Sequence, residues 1–271
     1  MVRIAVVAPS CTLKREAAEA VQAIASARGD CELMIHPQSF LSEGHFAGSD
    51  ADRLAALREV MADECVDAVW FARGGYGSNR IAETAVKDLP SAARTKTYLG
   101  YSDGGFLLAG LHKAGASVAH GPMVQDVVRE GGPAAVNRAL DWMVRGDPDA
   151  LEAGVDGPAL AFNLTVLSNL LGTSLEPDFS GADLLVEDVS EHLYRIDRTM
   201  FHLSSSPSVR KVRRLRLGRV SDVPDNDPAF GSDAEAIVRD WCTRSGIPFG
   251  GSADIGHDAA NKVVPFGQSG F

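Results

Sequence analysis

Strand-like and helix-like segments alternate through the first 120 residues of this 271-residue chain, and this order restricts the possible folds more than any other feature. Apolar strand patterns are followed by apolar residues at helical spacing. The alternation predicts an α/β fold, in which a parallel sheet has helices on both faces and binds ligands at the carboxyl ends of its strands. The predicted strands cover residues 3–8, 32–36, 66–72, 96–99 and 117–120.

The second half of the chain has a different pattern of helix-like and strand-like segments, which predicts a domain boundary. Residues 147–157 are rich in Asp, Gly, Pro and Ala, and they indicate a linker between a domain at 1–146 and a smaller one at 158–271. In the second part, helix patterns lie at 164–171, 197–203 and 233–245, and strand patterns lie at 183–189, 212–220, 247–249 and 263–266.

The net charge of −10 excludes a large class of partners. A protein that neutralises phosphates needs a basic face, so no nucleic-acid partner is expected. A short basic run at 210–216 alternates with apolar residues and predicts a strand with one charged side. Because no apolar run approaches the length of a membrane span, no membrane partner is expected either.

The four cysteines lie far apart, without a CxxC pair or neighbouring histidines, so the sequence predicts no metal site. Scattered thiols suit a reducing compartment, and the chain enters a strand pattern directly at its N-terminus; both indicate a cytoplasmic protein. A glycine-rich turn at 74–77 lacks the third glycine of a dinucleotide fingerprint and the lysine of a phosphate loop. No cofactor is therefore predicted.

The segment from Gly100 to Gly104 fits the G-x-S-x-G pattern, with Ser102 at its centre. A strand pattern precedes it and an apolar helix pattern follows it, which is the context of a nucleophile elbow. Small flanking residues permit a sharp turn that presents the serine hydroxyl outside the sheet. Such a serine needs a base to accept its proton and an acid to orient that base.

Two of the seven histidines lie in settings suited to a general base. His120 follows a predicted strand, and His257 lies in a turn with glycines nearby; spacing favours His257 only slightly. For the acid, Glu187 closes an apolar run, where a carboxylate is costly unless a partner such as histidine binds it. An ion pair with Arg195 or Arg198 explains that carboxylate about equally well.

Backbone amides for an oxyanion hole can come from two segments. One is the N–H of Asp103, directly after the serine, and the other is the glycine turn at 74–77. Both segments are expected at the carboxyl edge of the sheet. Their convergence favours acyl-transfer chemistry at Ser102 over nucleotide binding.

Several motifs occur in a characteristic order along most of the chain. They are Val7-Ala8-Pro9-Ser10, Ala72-Arg73-Gly74-Gly75-Tyr76-Gly77-Ser78-Asn79-Arg80, Gly100-Tyr101-Ser102-Asp103, His120-Gly121-Pro122-Met123, Glu187-Asp188-Val189 before Tyr194-Arg195-Ile196-Asp197-Arg198, and Gly256-His257 before Pro265-Phe266-Gly267. This ordered set resembles the LD-carboxypeptidases, a serine peptidase family that also includes microcin C immunity proteins.

The resemblance implies a flavodoxin-like N-terminal half, a β-rich C-terminal half, an active site between them and a homodimer. It implies that Ser102 is the nucleophile, His257 the general base and Glu187 the orienting acid, and that the amides of Gly75 and Asp103 form the oxyanion hole. The implied reaction is metal-free hydrolysis of an L-to-D peptide bond, which releases D-alanine from a cytoplasmic murein tetrapeptide in cell-wall recycling.

The substrate contacts are less defined than the catalytic groups. Arg73 and Arg198 are candidates for the substrate carboxylate, because arginine binds carboxylates through two parallel hydrogen bonds. Ala161-Phe162-Asn163 stands where the family has Gly-Gly-Asn, so Phe162 adds bulk beside Asn163 near the expected site. Two alternatives stay open: a microcin-immunity-like amidase acting on aminoacyl-nucleotide analogues, and a catalytically idle peptide-binding protein.

Overall fold

A computed structural model of the chain describes residues 1–267, and the four residues that end the predicted second domain lie outside that range. Its strands are β1 Val2–Val7, β2 Cys31–Ile35, β3 Ala68–Phe71, β4 Thr97–Gly100, β5 Ser117–His120, β6 Ala159–Asn163, β7 Asp183–Val189, β8 Arg214–Ser221, β9 Phe249–Ser252 and β10 Val264–Pro265. Its helices are α1 Arg15–Arg28, α2 Asp50–Ala62, α3 Asn79–Val86, α4 Ser91–Arg94, α5 Gly105–Lys113, α6 Gly132–Arg145, α7 Leu164–Leu170, α8 Leu193–Ser205 and α9 Ala234–Ser245.

The first sheet has six strands in the order β2-β1-β3-β4-β5-β10. Its first five strands are parallel and follow the order of flavodoxin-type sheets. Strand β10 is antiparallel to β5, with Val264 opposite His120. The sheet is therefore mixed rather than fully parallel, because the chain returns from its second half and runs back along the edge of the first sheet.

Helices cover both faces of this sheet, since successive strand residues point to opposite sides. Ile4 and Trp70 belong to the apolar cluster that includes α1 and α6, whereas Ala5 and Phe71 belong to the cluster that includes α2, α3 and α5. All four side chains are buried. The strands thus read as continuous apolar runs, as expected of parallel strands covered on both faces.

The second sheet is parallel throughout, in the order β6-β7-β8-β9. Parallel neighbours need crossover connections, which α7, α8 and α9 supply. This half is therefore an α/β unit with helices, which differs from the β-rich half that the resemblance implied. Strand β6 was not predicted from the sequence: Ala161, Phe162 and Asn163 form its buried end, and the Asn163 side chain caps α7.

The two halves share one apolar cluster, in which Phe106 of α5 packs in the same core as Phe162 and Val166. The predicted linker holds a short 3-10 turn, Pro148–Ala150, and the boundary at 147–157 stays a prediction. None of the helices within residues 1–267 is long and apolar enough to cross a membrane.

Glu152 joins the segment after that 3-10 turn to the second sheet. Its carboxylate lies 2.7 Å from Nη2 of Arg216 on β8 and accepts a hydrogen bond of 2.7 Å from the N–H of Asp254. Both charged side chains are buried, with exposed fractions of 2% for Glu152 and 10% for Arg216. This ion pair therefore anchors the loop that leads to His257.

Glu152→Gln is expected to lower the free energy of unfolding by about 3 kcal/mol, because it leaves the Arg216 guanidinium buried without its counter-charge. Chemical denaturation of both proteins measures the difference. Glu235→Gln is the matched control, since Glu235 pairs with Arg239 on the surface of α9, where such pairs contribute about 0.3–0.5 kcal/mol. Equal, small effects of the two variants would show that the buried pair does not stabilise the fold.

Candidate active site

Ser102 lies on a sharp turn at the carboxyl end of β4. Its φ of +56° is in the left-handed region, which residues other than glycine seldom adopt. One 3-10 turn, Ser102–Gly104, separates the end of β4 from the start of α5. A strained serine between a strand and a helix has the geometry of a nucleophile elbow, as the sequence pattern predicted.

The two glycines of the pattern are required by close packing against Phe71 of β3. A Cβ on Gly100 would lie 2.5 Å from Phe71 Cδ2, and a Cβ on Gly104 would lie 2.9 Å from the same atom. Both distances are shorter than real Cβ contacts. The spacing of these glycines therefore reflects how tightly the elbow packs on the neighbouring strand.

Ser102, His257 and Glu187 form a continuous chain of hydrogen bonds. Ser102 Oγ lies 3.0 Å from His257 Nε2, and His257 Nδ1 lies 2.5 Å from Glu187 Oε2. The serine comes from the elbow, the glutamate from β7 and the histidine from the loop between β9 and β10. The arrangement matches the geometry by which a base activates a serine hydroxyl and an acid orients that base.

His120, the alternative base, lies beside this chain of hydrogen bonds but does not take part in it. Its Nε2 lies 3.3 Å from Oδ1 of Asn261, which also accepts a hydrogen bond from the N–H of Gly256 at 3.2 Å. Burial lowers the pKa of His120 to about 4, so this imidazole is neutral at physiological pH. Together, His120 and Asn261 support the turn directly before His257.

Glu187 is completely buried, and its Oε1 has no hydrogen-bond partner among the described residues. The removal of this carboxylate from water is therefore offset chiefly by His257. The alternative ion pairs are not formed within residues 1–267: Arg195 pairs with Glu191, and Arg198 is exposed on α8. Of the two partners that the sequence left open for Glu187, the structure therefore shows the histidine and not an arginine.

The glycine-rich turn after β3 approaches the serine closely. A Cβ on Gly74 would lie 2.9 Å from Ser102 Oγ, and a Cβ on Gly75, whose φ is +110°, would overlap Cys11 Sγ. Gly75 and Asp103 both line the cavity that contains Ser102. The two segments expected to supply oxyanion-hole amides therefore meet at this serine.

The side chain of Asp103 holds these segments together. It is buried, and its Oδ2 accepts hydrogen bonds from Ser10 Oγ at 2.5 Å and from the N–H of Ser78 at 2.8 Å. Burial raises the pKa of Asp103, although these hydrogen bonds lower it in part. Three of the motifs noted in the sequence, around Ser10, Ser78 and Asp103, meet in this contact.

A cavity of about 610 Å³ contains Ser102 and His257 in its wall. Among the described residues, the wall includes no lysine or arginine but three further carboxylates, Glu83, Asp188 and Glu191. Sequence reasoning gave these three no role, because nothing in their spacing shows that they face a common cavity. Burial raises the pKa of Asp188 to about 6.

Models of one family match almost the whole chain. The LD-carboxypeptidase N-terminal domain matches residues 4–121, and the LD-carboxypeptidase C-terminal domain matches residues 156–270. A candidate carboxypeptidase of Synechocystis sp. is 32% identical over 276 residues, which cover 98% of this chain and 89% of the relative. The chain belongs to the LD-carboxypeptidase family.

The chain is also similar to a relative that is named for its substrate and to solved structures. The murein tetrapeptide carboxypeptidase of Pseudomonas aeruginosa is 27% identical, over 98% of this chain and 92% of its own length. The crystal structure of muramoyltetrapeptide carboxypeptidase from Oxalobacter formigenes superposes with a TM-score of 0.83 at 28% identity, covering 97% of this chain and 93% of that one. The microcin C7 self-immunity protein MccF shares the fold, with a TM-score of 0.79 at 16% identity over 98% and 91% of the two chains.

The four predicted substrate residues of this chain occupy different places. Asn163 lines the cavity and donates a hydrogen bond of 3.0 Å to Asp188. Phe162 is buried against Phe266, with ring centroids 5.2 Å apart, and does not line the cavity. Arg73 and Arg198 also lie outside its wall: Arg73 donates to the carbonyl of residue 12, and Arg198 is on the surface.

The charge of Glu187 sets the proton affinity of His257. Burial alone lowers the pKa of His257, but the negative charge and hydrogen bond of Glu187 raise it by more. The pKa of His257 therefore lies above its ordinary value of 6.5. An imidazole must be neutral to accept a proton, so a serine hydroxyl that His257 activates is expected to react faster as the pH rises through this raised pKa.

Glu187→Gln is expected to move the acidic limb of the kcat/KM profile to lower pH, because the charge that raises the pKa of His257 is gone. The plateau should fall by about 10²- to 10⁴-fold, since the histidine loses its orienting acid. A pH–rate profile from pH 4 to 9 measures both effects. Glu64 is an exposed glutamate, so Glu64→Gln should leave both the acidic limb and the plateau unchanged. An acidic limb at the wild-type pH in Glu187→Gln would refute the contact between Glu187 and His257.

Gly74→Ala is expected to slow the reaction of Ser102 with a fluorophosphonate by about 10-fold or more. The added Cβ displaces the serine side chain, and a misplacement of about 1 Å can cost about 10²-fold in rate. Gly157→Ala is the matched control, because its Cβ would meet Arg213 only at an ordinary contact distance of 3.6 Å. Equal labelling rates in the two variants would show that Gly74 does not constrain the serine.

Proposed function

We propose that this protein is a serine carboxypeptidase that hydrolyses an L-to-D peptide bond and releases D-alanine from a murein tetrapeptide. The observation that carries the proposal is the hydrogen-bonded chain from Ser102 through His257 to Glu187, whose serine and histidine line a cavity. Likeness to the murein tetrapeptide carboxypeptidase of Pseudomonas aeruginosa supports the substrate. The homodimer and the cytoplasmic location that the resemblance implied belong to the same proposal.

The first half of the proposed reaction forms an acyl-enzyme. Ser102 Oγ attacks the carbonyl carbon before D-alanine, and its proton passes to His257 Nε2. Glu187 accepts the Nδ1–H hydrogen bond, which keeps the ring in the required tautomer and stabilises the imidazolium. The N–H groups of Gly75 and Asp103 donate to the developing oxyanion.

The first half ends when His257 gives its proton to the leaving amine of D-alanine and the C–N bond breaks, which leaves the acyl-enzyme. In the second half, water gives a proton to His257 as its oxygen attacks the ester carbonyl. The bond from the acyl carbon to Ser102 Oγ then breaks, and His257 returns the proton to that oxygen. Each step is assigned to groups of this chain, and within residues 1–267 no cluster of three or more His, Cys, Asp or Glu side chains could hold a metal ion.

Substrate recognition is proposed to use the cavity that contains the serine. Asn163 lines this cavity and stays in the proposal as a substrate contact. Arg73, Phe162 and Arg198 stay predictions without support from the cavity wall. The carboxylates of that wall make its charge negative, so the substrate carboxylate is expected to meet neutral donors such as backbone amides.

Ser102→Ala is expected to abolish D-alanine release from murein tetrapeptide, with a loss of at least about 10³-fold, because no other group replaces the nucleophile. A D-amino-acid oxidase assay of released D-alanine measures this loss. Ser204→Ala, which removes a buried serine of α8, serves as the control and should retain activity. EDTA should leave the wild-type rate unchanged.

The same assay separates the competing functions. A wild-type enzyme that releases no D-alanine but cleaves an aminoacyl sulfamoyl adenosine would favour the amidase alternative. Binding of the tetrapeptide without any cleavage, combined with no fluorophosphonate label on Ser102, would favour the idle peptide-binding protein. Release of D-alanine that persists in Ser102→Ala would contradict the proposed mechanism.

A further inference from the structure

A buried network around Asp126 lies next to the candidate active site. Asp126 Oδ1 accepts a hydrogen bond from Tyr101 Oη at 3.0 Å and forms an ion pair with Nε of Arg129 at 2.9 Å, and its Oδ2 accepts a hydrogen bond from the N–H of Met123 at 2.8 Å. The carboxylate is 3% exposed. Sequence reasoning did not single out Asp126 or Arg129, which follow β5 without a recognisable pattern.

Two members of this network contact His257. The ring of Tyr101 lies against the imidazole, with centroids 4.8 Å apart and planes at 57°. The guanidinium of Arg129 donates a hydrogen bond to the main-chain carbonyl of His257. Asp126 thus binds one residue that touches the ring and another that touches the main chain.

These contacts are needed because the serine and its base come from different halves of the molecule. Ser102 lies on the first sheet, whereas His257 lies in a loop that leaves the second sheet after β9. Tyr101 and Arg129 both belong to the first half, so they attach the loop to the side that carries the nucleophile. A displacement of about 1 Å between reacting groups can cost about 10²-fold in rate.

We propose that Asp126 is a positioning residue for the base, which acts through Tyr101 and Arg129 to hold His257 against Ser102. The inference rests on the proposed function only in that Ser102 and His257 are its nucleophile and base. It does not depend on which peptide is cleaved.

The network also has an electrostatic signature. The charged and titratable groups around His257 come from several elements. They are Glu187 on β7, His120 on β5, Tyr101 after β4, Asp126 and Arg129 after β5, and Asp258 in the loop itself with its partner Arg219 on β8. Glu187 and Asp126 raise the pKa of His257, whereas Arg129 lowers it. Removal of the Asp126 charge should therefore lower the pKa of His257, and removal of the Arg129 charge should raise it.

A fluorophosphonate tests the inference without a peptide substrate. Ser102 Oγ forms a bond to phosphorus as the P–F bond breaks, fluoride leaves and His257 accepts the serine proton. The second-order labelling rate, measured from pH 4 to 9, reports both the alignment of the pair and the pKa of the base.

Tyr101→Phe removes the hydroxyl that binds Asp126 and keeps the ring that touches His257. We expect its labelling rate to fall by about 10-fold, the upper range for loss of one buried hydrogen bond. Tyr98→Phe is the matched control: Tyr98 is a buried tyrosine of the same strand, and its hydroxyl binds the carbonyl of Ala93 at 2.9 Å. Equal labelling rates in the two variants would overturn the proposal.

The variants that change a charge add a second measurement, the midpoint of the pH profile, which a purely structural role would not change. Asp126→Asn should shift the midpoint of the pH profile to lower pH, and Arg129→Gln should shift it to higher pH. Arg129→Lys keeps the charge and should leave the midpoint near that of the wild type. Reduced rates with unchanged midpoints in both charge-removing variants would overturn the proposal, as would two shifts in the same direction.

The outcomes also distinguish this inference from the proposed function. If wild-type protein is labelled at Ser102 but releases no D-alanine, the proposed peptidase activity is contradicted. The labelling rates of the variants then still test the positioning role of Asp126. Normal D-alanine release together with wild-type labelling in Tyr101→Phe, Asp126→Asn and Arg129→Gln would remove the positioning role alone. Wild-type protein that does not label would overturn both.

Discussion

The hydrogen bond between Ser102 Oγ and His257 Nε2 is the contact on which the rest of the site depends, because it joins the two halves of the molecule. The serine is placed by an elbow at the end of β4, and the histidine by a loop between β9 and β10. That loop is fixed at its far end where β10 pairs with β5, and near its start where Asp254 binds the buried Glu152. The antiparallel strand that makes the first sheet mixed thus also brings the base to the nucleophile.

Several energetically unfavourable features lie around this contact. Ser102 has a left-handed backbone, and Glu187 is fully buried with one oxygen unpaired among the described residues. Such features persist only where the surrounding structure over-determines them. Here the elbow packs on Phe71, and Asp103 ties it to two neighbouring loops. Local strain and desolvation are therefore maintained by packing that surrounds the reacting groups.

The residues that line the cavity do not have the positive charge that recognition of a carboxylate by arginine would need. Its wall, within residues 1–267, has carboxylates but no lysine or arginine, and the two candidate arginines lie elsewhere. A substrate carboxylate in such a cavity loses the benefit of an opposite charge and depends on neutral donors. In the proposed function, substrate selection is therefore assigned to this wall rather than to the elbow.

The sequence by itself determined the local elements: the alternating strands and helices and the elbow around Ser102. These follow from periodicity and turn residues within a short stretch of chain. The family motifs also favoured His257 and Glu187, which form one hydrogen-bonded chain with Ser102, although spacing alone left His120 open. Tertiary structure decided the antiparallel β10, the unanticipated β6, the acidic cavity and the Asp126 network. Those features join residues far apart in the chain, and local pattern contains no information about which distant side chains meet when the apolar faces are buried.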